Sequence, residues 1–251
     1  MAVRASDEVM RIYQQDFAVD FKDDESPITQ ADLHSHRCIV EGLLEITPGL
    51  PVLSEESSDE VKSTRIGWQT YWLVDPLDGT KEFVKKNGEF TVNIALIHDH
   101  YPVFGVVYAP ALNVMYWGGR ATGSYKMHAD GNVIGIASRI PPNKRSECKI
   151  VGSRSHQSEE FKAFVANYPG ADIVSMGSSL KLCLVAEGLA DLYPRLGLTS
   201  EWDTAAAQAV VEGAGGSVIS LQDGLRLSCN KNPETLLNPF FIVSGEGYSD
   251  Q

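Results

Sequence analysis

The sequence predicts an α+β fold in two parts, an antiparallel sheet half followed by a mixed α/β half. In the first half, four β-rich runs follow one another across tight turns, which is typical of an antiparallel meander; they cover residues 91–98, 101–108, 114–119 and 124–128. In the second half, apolar runs of strand length alternate with segments of helical periodicity. Pro141–Pro142–Asn143 can continue neither a helix nor a central strand. We therefore predict one domain over residues 1–140 and another over 141–251.

The segment before the meander is predicted to hold two helices and two short strands. Apolar residues at helical spacing predict a helix over Ala2–Phe17, and Thr29 is expected to cap a second helix that runs to Ile46. An extended piece at residues 19–22 and a turn at 23–27 separate these helices. Residues 51–53 and 71–74 are predicted as short buried strands, each followed by acidic residues.

Beyond the boundary, strands and helices are predicted in alternation. The strands are expected at residues 149–153, 172–176, 190–194, 217–220 and 240–244. The helices are expected at residues 159–167, 180–187 and 203–212. This order is typical of a sheet with helices packed on its faces.

The composition is that of a globular protein, with 43% hydrophobic and 22% charged residues. No apolar run reaches the roughly 18 residues of a membrane-spanning helix, and the first ten residues lack the apolar segment of a secretory signal. The four cysteines are Cys38, Cys148, Cys183 and Cys229. Their spacing disfavours a zinc site or a disulfide framework and predicts free thiols in a reducing compartment, the cytoplasm.

The formal net charge of −12 disfavours nucleic acid and anionic membrane as extended partners. It also constrains any phosphate-containing substrate, because an acidic protein binds an anion only where its site is locally positive. Bound metal ions are one way to provide that positive charge.

Four short segments concentrate acidic and hydroxyl residues at the ends of apolar elements: Thr29–Asp32, Ser54–Ser57, Val74–Thr80 and Glu201–Thr204. In the third, Asp75 and Asp78 follow a predicted strand. Pro76 is expected to end the ladder, and Gly79 to permit a turn that aims both carboxylates at one point beside the Leu77 carbonyl. Two carboxylates so placed repel each other unless a cation lies between them. Hard oxygen ligands suit Mg²⁺ or Mn²⁺, with Ca²⁺ as a competitor.

Each segment also has an interpretation without function. Asp-Pro and Asp-Gly are common in surface turns, Glu55 alone could be a solvated carboxylate, and Asp203 alone could cap an alanine-rich helix. Taken together, the four segments favour one shared site.

The segments Asp75-Pro-Leu-Asp-Gly-Thr80 and Trp202-Asp203-Thr-Ala-Ala resemble the two signatures of the inositol monophosphatase superfamily, and Ser54-Glu55-Glu56-Ser57 is similar to its acidic pair. Within that superfamily, four further segments resemble the CysQ-type 3′(2′),5′-bisphosphate nucleotidases: residues 17–24, 79–83, 177–188 and 190–195. The resemblance covers nearly the whole chain. It implies a layered α/β/α/β/α sandwich and a first helix that begins several residues earlier than this chain allows.

The resemblance also implies two metal ions held by oxygen ligands. Glu55, Asp75 and the Leu77 carbonyl would bind the first ion, and Asp75, Asp78 and Asp203 the second. The expected cofactors are two or three Mg²⁺ ions, with Mn²⁺ able to substitute and with Ca²⁺ and Li⁺ inhibitory. The four carboxylates bring a charge of −4 and the cations at least as much positive charge, so the loaded site would accept a phosphate.

By the same resemblance, Asp32, Glu55 and Thr80 would orient and deprotonate the attacking water. The substrate contacts it implies are Glu55, Asp78, Gly79, Thr80, His156, Ser178, Lys181, Arg195 and Asp203. The bare sequence leaves other interpretations open for three of these. Lys181 could be an exposed helix residue, His156 could begin the next helix, and Arg195 could pair with a nearby acid.

The function that these expectations favour is Mg²⁺-dependent hydrolysis of adenosine 3′,5′-bisphosphate to AMP and phosphate in sulfur metabolism, with attack by a metal-activated water on the 3′-phosphate. Removal of the 3′-phosphate of the sulfated nucleotide PAPS is a related expectation. Two alternatives remain open: an inositol monophosphatase or sugar bisphosphatase with the same cluster, and a regulatory binding protein without turnover. All expected carboxylates are present, which disfavours the latter. A monomer and a homodimer both remain open, as does peripheral association with the inner face of the cell membrane.

Overall fold

The computed structural model describes residues 1–21, 27–153 and 158–247. The helices are α1 (Ala2–Tyr13), α2 (Gln30–Ile46), α3 (Asp59–Thr64), α4 (Thr80–Val84), α5 (Glu159–Ala166), α6 (Leu180–Ala186) and α7 (Glu201–Gly213). The strands are β1 (Asp20–Phe21), β2 (Pro27–Ile28), β3 (Val52–Ser54), β4 (Thr70–Asp78), β5 (Thr91–His98), β6 (Tyr101–Ala109), β7 (Val114–Gly119), β8 (Gly123–Met127), β9 (Val133–Ile136), β10 (Lys149–Ser153), β11 (Asp172–Met176), β12 (Leu192–Arg195), β13 (Ser217–Ser220) and β14 (Phe241–Ser244).

The first half of the chain forms a seven-stranded sheet in which strands β3 to β9 follow one another in chain order. Strands β3 and β4 are parallel, and every other neighbouring pair is antiparallel. The predicted turn between β5 and β6 has φ values of 48° at Asp99 and 70° at His100, the left-handed pair that a tight two-residue hairpin requires. The predicted antiparallel meander is confirmed.

The second half forms a five-stranded sheet in the order β11-β10-β12-β14-β13. Strand β10 pairs in parallel with β11 and β12, whereas β14 pairs antiparallel with β12 and β13. This mixed pairing follows from the chain order, because helices connect the parallel strands as in other α/β units. Strands β1 and β2 form a separate antiparallel pair.

The helices and sheets stack in five layers. Helices α1 and α2 cover one face of the large sheet, where Val9 and Ile39 pack with Val92. Helices α6 and α7 lie between the two sheets. Helix α5 covers the outer face of the small sheet, where Phe161 packs with Ile150. The predicted α+β class and its layered α/β/α/β/α arrangement are confirmed.

Helix α7 approaches the large sheet closely enough for backbone to touch backbone. A Cβ atom added at Gly105 of β6 would lie 2.1 Å from the carbonyl oxygen of Ala206. The small side chains of Ala205, Ala206 and Ala207 on this helix are all buried. This contact fixes the height of α7 above the sheet, and therefore the position of Asp203 in its first turn.

The core between the sheets draws on both halves of the chain, since it contains Leu73 and Val107 together with Val151, Val210 and Val243. The division into domains 1–140 and 141–251 stays a prediction. The four cysteines are free. Within the described residues, no helix is both long and apolar enough to cross a membrane.

Several element boundaries differ from expectation. Helix α1 ends at Tyr13 instead of Phe17, because Phe17 turns back and its ring packs 4.8 Å from that of Phe83. Strand β4 continues to Asp78 instead of ending before Pro76, because an irregularity between Asp75 and Asp78 takes Pro76 out of the ladder. Helix α3 and strand β9 were not predicted; α3 has no buried residue, and β9 is mostly exposed, so neither shows the hydrophobic pattern of a core element.

Candidate active site

Parallel pairing of β3 with β4 brings two acidic residues to one edge of the large sheet. Ser54 lies opposite Val74, so that Glu55 and Asp75 follow side by side. The backbone N–H of Glu55 donates to the carbonyl of Val74 at 3.0 Å. Asp75 is only 1% exposed. The carboxylates are thus placed by strand register rather than by a flexible loop.

A third and a fourth acidic residue complete the cluster. Asp78 re-enters the ladder opposite Thr91, and Asp203 arrives from the first turn of α7. Carboxylate oxygens of Asp75, Asp78 and Asp203 all lie within 4.8 Å of one another. Glu55 lines the same cleft. The structure therefore brings together the four acids expected as metal ligands, and their role as ligands stays a prediction.

Among the residues that the structure describes, each of the three clustered carboxylates accepts hydrogen bonds through one of its two oxygens. Asp75 Oδ1 accepts the N–H of Leu77 at 3.0 Å. Asp203 Oδ2 accepts the N–H of Ser200 at 2.9 Å, which makes Asp203 the third residue of its helix and not the N-cap. Asp78 Oδ2 accepts the N–H of Ser179 at 2.6 Å. The remaining oxygens are available for a cation.

The electrostatics of the cluster favour a cation. Burial, and then the charges of Glu55, Asp78 and Asp203, raise the pKa of Asp75 well above its usual value. Burial, followed by the charges of Asp78 and Glu55, raises the pKa of Asp203 to about 8. Burial also raises the pKa of Asp78, although the nearby Lys181 opposes this. Carboxylates crowded in this way either take up protons or bind divalent cations. The all-oxygen donor set fits Mg²⁺ or Mn²⁺.

Asp32 and Thr80 form a second polar pair beside the cluster. Thr80 Oγ1 donates to Asp32 Oδ1 at 3.3 Å and also lies 3.2 Å from the carbonyl of Leu77. Asp32 Oδ2 accepts the N–H and the hydroxyl of Thr29 at 2.7 and 2.8 Å. Burial raises the pKa of Asp32 to about 6, even though the bonds from Thr29 lower it. A carboxylate held this firmly next to a hydroxyl can accept a proton near neutral pH.

Gly79 makes the turn from β4 into the short helix α4. Its φ is +88°, and an added Cβ would lie 3.2 Å from the carbonyl oxygen of Glu89. The left-handed φ favours glycine at this position, and a larger residue would also require the Glu89 backbone to shift by a few tenths of an ångström. Helix α4 begins at Thr80.

Three of the expected substrate residues, Ser178, Lys181 and Arg195, line a small pocket together with Asp78 and Asp203. Lys181 is 8% exposed, which excludes the alternative that it is an exposed helix residue. Its ammonium donates to the carbonyl of Ser178 at 2.6 Å and lies 5.7 Å from the centre of the Tyr193 ring. Ser178 has a left-handed φ of 47°. Arg195 lines the cleft and donates to the carbonyl of Leu198. His156 lies outside the described residues.

The main cleft, which the carboxylates, Thr80 and Arg195 line, has a volume of about 550 Å³. Its walls come from both halves of the chain, with Glu55, Asp75 and Thr80 on one side and Tyr193, Arg195 and Asp203 on the other. This volume suits a small phosphorylated molecule.

Sequence reasoning missed the residues that surround Asp78. Ser179 donates to Asp78 Oδ2 from its backbone N–H and lies 2.9 Å from it through its hydroxyl, and Thr91 Oγ1 and Asn93 Nδ2 lie at 3.5 Å. Ser179 is 101 positions away in the chain. No local spacing links it to Asp78, so only the fold could reveal the contact.

A model of the inositol monophosphatase family matches residues 1–249 of this chain. The 3′(2′),5′-bisphosphate nucleotidase CysQ of Escherichia coli (strain K12) is 47% identical over 246 residues, which are 97% of this chain and 96% of that protein. The protein of the same name from Salmonella typhimurium is 46% identical over the same shares. The crystal structure of CysQ from Bacteroides thetaiotaomicron, a bacterial member of the inositol monophosphatase family, matches with a TM-score of 0.84 at 40% identity, and the match covers 98% of this chain and 95% of that one.

Proposed function

The chain belongs to the inositol monophosphatase family, and from that premise we propose that it is a metal-dependent 3′(2′),5′-bisphosphate nucleotidase acting on adenosine 3′,5′-bisphosphate. The observation that carries the chemistry is the convergence of buried Asp75 with half-buried Asp78 and Asp203, whose oxygens lie within 4.8 Å of one another. The substrate class rests on the relatives that share 46–47% identity over nearly the full length of the chain. Removal of the 3′-phosphate of PAPS is a second proposed reaction of the same site.

Glu55, Asp75, the Leu77 carbonyl, Asp78 and Asp203 are the proposed metal ligands, and Mg²⁺ is the proposed ion. A bound divalent cation lowers the pKa of a water ligand and neutralises charge on the phosphate oxygens. The crowded carboxylates support this proposal, because their mutual repulsion is relieved by positive charge. Inhibition by Ca²⁺ or Li⁺ stays a prediction.

Asp32 and Thr80 are proposed to receive the proton of the attacking water. The Thr80 hydroxyl can accept that proton while passing its own to Asp32 Oδ1, to which it already donates at 3.3 Å. The pKa of Asp32, raised by burial to about 6, leaves this carboxylate ionised at neutral pH yet basic enough to take a proton. In the overall reaction, one water oxygen bonds to phosphorus, the ribose 3′ oxygen leaves with the bonding electron pair, and that oxygen gains a proton.

Lys181, Ser178 and Arg195 are proposed to bind the phosphate that is not hydrolysed. The buried ammonium of Lys181 and the Arg195 guanidinium line a small pocket together with Asp78 and Asp203, and bring positive charge beside the carboxylates. This charge, next to that of the proposed metal ions, would match a substrate with two phosphates.

The proposed compartment is the cytoplasm, which four free cysteines support. The proposed partner is a small nucleotide, without nucleic acid. Monomeric or dimeric assembly and peripheral contact with a membrane stay predictions.

The test compares phosphate release with Mg²⁺ from adenosine 3′,5′-bisphosphate, inositol 1-phosphate and fructose 1,6-bisphosphate. We expect a preference of at least about 10²-fold for the nucleotide over inositol 1-phosphate, which lacks a second phosphate to accept charge-assisted bonds. Fructose 1,6-bisphosphate carries two phosphates but no nucleoside, and we expect it to be hydrolysed more slowly than the nucleotide. EDTA should abolish all release. In Lys181→Met, the nucleotide preference should fall while inositol phosphate hydrolysis stays similar. Equal rates on all three substrates, or a preference for inositol phosphate, would reject the nucleotidase and keep a metal-dependent phosphatase.

Asp78→Asn gives a direct test of the cluster. The variant keeps the size of the side chain but removes one charge from the proposed metal site. We expect it to lose most turnover and to bind the nucleotide only weakly in the presence of metal. A near-normal rate would rule out the proposed ligand set.

A further inference from the structure

The buried hydroxyl of Ser179, which precedes helix α6, contacts three other elements at the carboxylate cluster. Ser179 Oγ lies 2.9 Å from Asp78 Oδ2, 2.5 Å from the carbonyl oxygen of Asp203 and 2.8 Å from Asn93 Nδ2. Both Ser179 and Asn93 are 1% exposed. Strand β4, strand β5, helix α6 and helix α7 therefore meet at a single oxygen atom.

The hydrogen-bonding capacity of this hydroxyl limits what it can do. It has one proton to donate and accepts the amide hydrogen of Asn93. Its two acceptor neighbours, Asp78 Oδ2 and the Asp203 carbonyl, compete for that proton. Asp78 Oδ2 already receives the backbone N–H of Ser179 at 2.6 Å. The hydroxyl proton is thus left for the Asp203 carbonyl, which has the shorter contact.

Ser179 then holds the two acidic residues by different groups. Its N–H holds Asp78, and its hydroxyl holds the first turn of α7, which carries Asp203. Asn93 orients the hydroxyl by donating to its other side. Ser179 thus bridges Asp78 and the backbone of Asp203, although those two acids lie 125 positions apart in the sequence.

We propose that Ser179, oriented by Asn93, is a positioning residue that sets the spacing of Asp78 and Asp203 for divalent-cation binding. The inference rests on the proposed function only in assuming that the cluster binds such a cation. Outer groups that orient ligand carboxylates typically change metal affinity by about 10- to 100-fold when removed. Loss of the Ser179 hydroxyl alone, with its N–H retained, is expected at the lower end of that range.

A second serine, Ser124 of strand β8, provides a matched control because it also bonds to helix α7. Ser124 is also buried, and its hydroxyl donates at 2.7 Å to the carbonyl of Val210, two turns further along α7. Ser124→Ala and Ser179→Ala each remove one buried bond to the backbone of α7. Only the second change touches the carboxylate cluster. A general loosening of α7 would appear in both variants, whereas a positioning effect would appear in one.

The probe is Mn²⁺, and its binding to the full chain is measured by electron paramagnetic resonance of the free ion, without substrate. We expect Ser179→Ala to raise the Mn²⁺ dissociation constant by about 10-fold and Ser124→Ala to change it by less than about 2-fold. Asn93→Ala should weaken binding in the same direction. The double variant that combines Asn93→Ala with Ser179→Ala should bind Mn²⁺ no more weakly than Ser179→Ala alone, because both substitutions act through the Ser179 hydroxyl.

Unchanged Mn²⁺ affinity in Ser179→Ala would overturn the proposal, and so would an equal loss in Ser124→Ala. If Ser179→Ala does not fold, Asn93→Ala decides alone, since unchanged affinity in that variant also overturns the proposal. The binding measurement involves no nucleotide, so failure of the proposed nucleotidase activity would leave its outcome intact.

Discussion

Substitution of Gly105 by alanine should move the helix that carries Asp203. The added Cβ would lie 2.1 Å from the carbonyl oxygen of Ala206, 2.7 Å from its carbonyl carbon and 2.8 Å from its Cα. All three are backbone atoms that no rotamer change can remove. Real Cβ atoms stay at least 3.0 Å from such atoms, so α7 has to retreat from the sheet by about 0.9 Å.

Two effects follow from that displacement. Overpacking of a filled core costs about 1–3 kcal/mol, partly offset because alanine loses about 0.5–1 kcal/mol less backbone entropy than glycine on folding. A net loss of about 1–2 kcal/mol corresponds to a fall in melting temperature of roughly 2–8 °C for a chain of this size. Displacement of a reacting or ligating group by 1 Å typically costs about 10²-fold in rate. The Asp203 carboxylate should therefore lose both metal affinity and turnover.

Gly135 on β9 is the matched control, because an added Cβ there meets no atom within 4 Å. Melting curves and Mg²⁺ titrations of phosphate release would be recorded for Gly105→Ala and Gly135→Ala side by side. We expect the control to melt at or slightly above the parent temperature with unchanged Mg²⁺ dependence. The reasoning is refuted if the two variants behave alike.

Three further predictions concern charge and proton transfer. In EDTA, the free energy of unfolding should fall as pH rises from 5 to 8.5, because burial raises the pKa of Asp203 to about 8 and this carboxylate takes up a proton on folding. Thermal melts across this pH range would measure the slope, and Asp203→Asn should flatten it. Thr80→Ala should lower turnover by about 10²-fold while Mn²⁺ binding stays constant; a parallel loss of both would contradict a proton-transfer role. Lys126→Met should cost about 3 kcal/mol in urea unfolding, because it leaves buried Glu187 without its 2.5 Å ion pair, whereas the exposed Lys162→Met should cost under about 0.5 kcal/mol.

The sequence predicted most elements of both sheets because their buried strands carry strong hydrophobic patterns. The Asp99–His100 hairpin and the alternating second half followed from turn chemistry and periodicity. The exposed helix α3 and strand β9 lack such a pattern, which explains why they were missed. The predicted strand β4 was too short, because Pro76 was expected to end the pairing with β5. In the structure an irregularity between Asp75 and Asp78 lets the pairing continue to Asp78.

At the site, residue types and local order were predictable and long-range contacts were not. Asp75 and Asp78 lie three positions apart, Glu55 and Asp203 stood out as acids at the ends of apolar elements, and resemblance to a family added the expected roles as metal ligands. The buried environment of Lys181 depends on how α6 packs between the sheets, which no local pattern records. Ser179 was missed for the same reason, since its partners lie in β4, β5 and α7.

The interior position of α7 also affects how the protein folds while the ribosome is still making it. The large sheet is complete at Ile136, yet the helix that covers its second face ends at Gly213, about 80 residues later. At roughly 5–20 residues per second, that face, which includes Leu73 and Val107, waits uncovered for about 4–15 s on the ribosome. Nascent chains should therefore depend most on chaperones during this interval, and a pause in translation before codon 213 should lower the yield of folded protein.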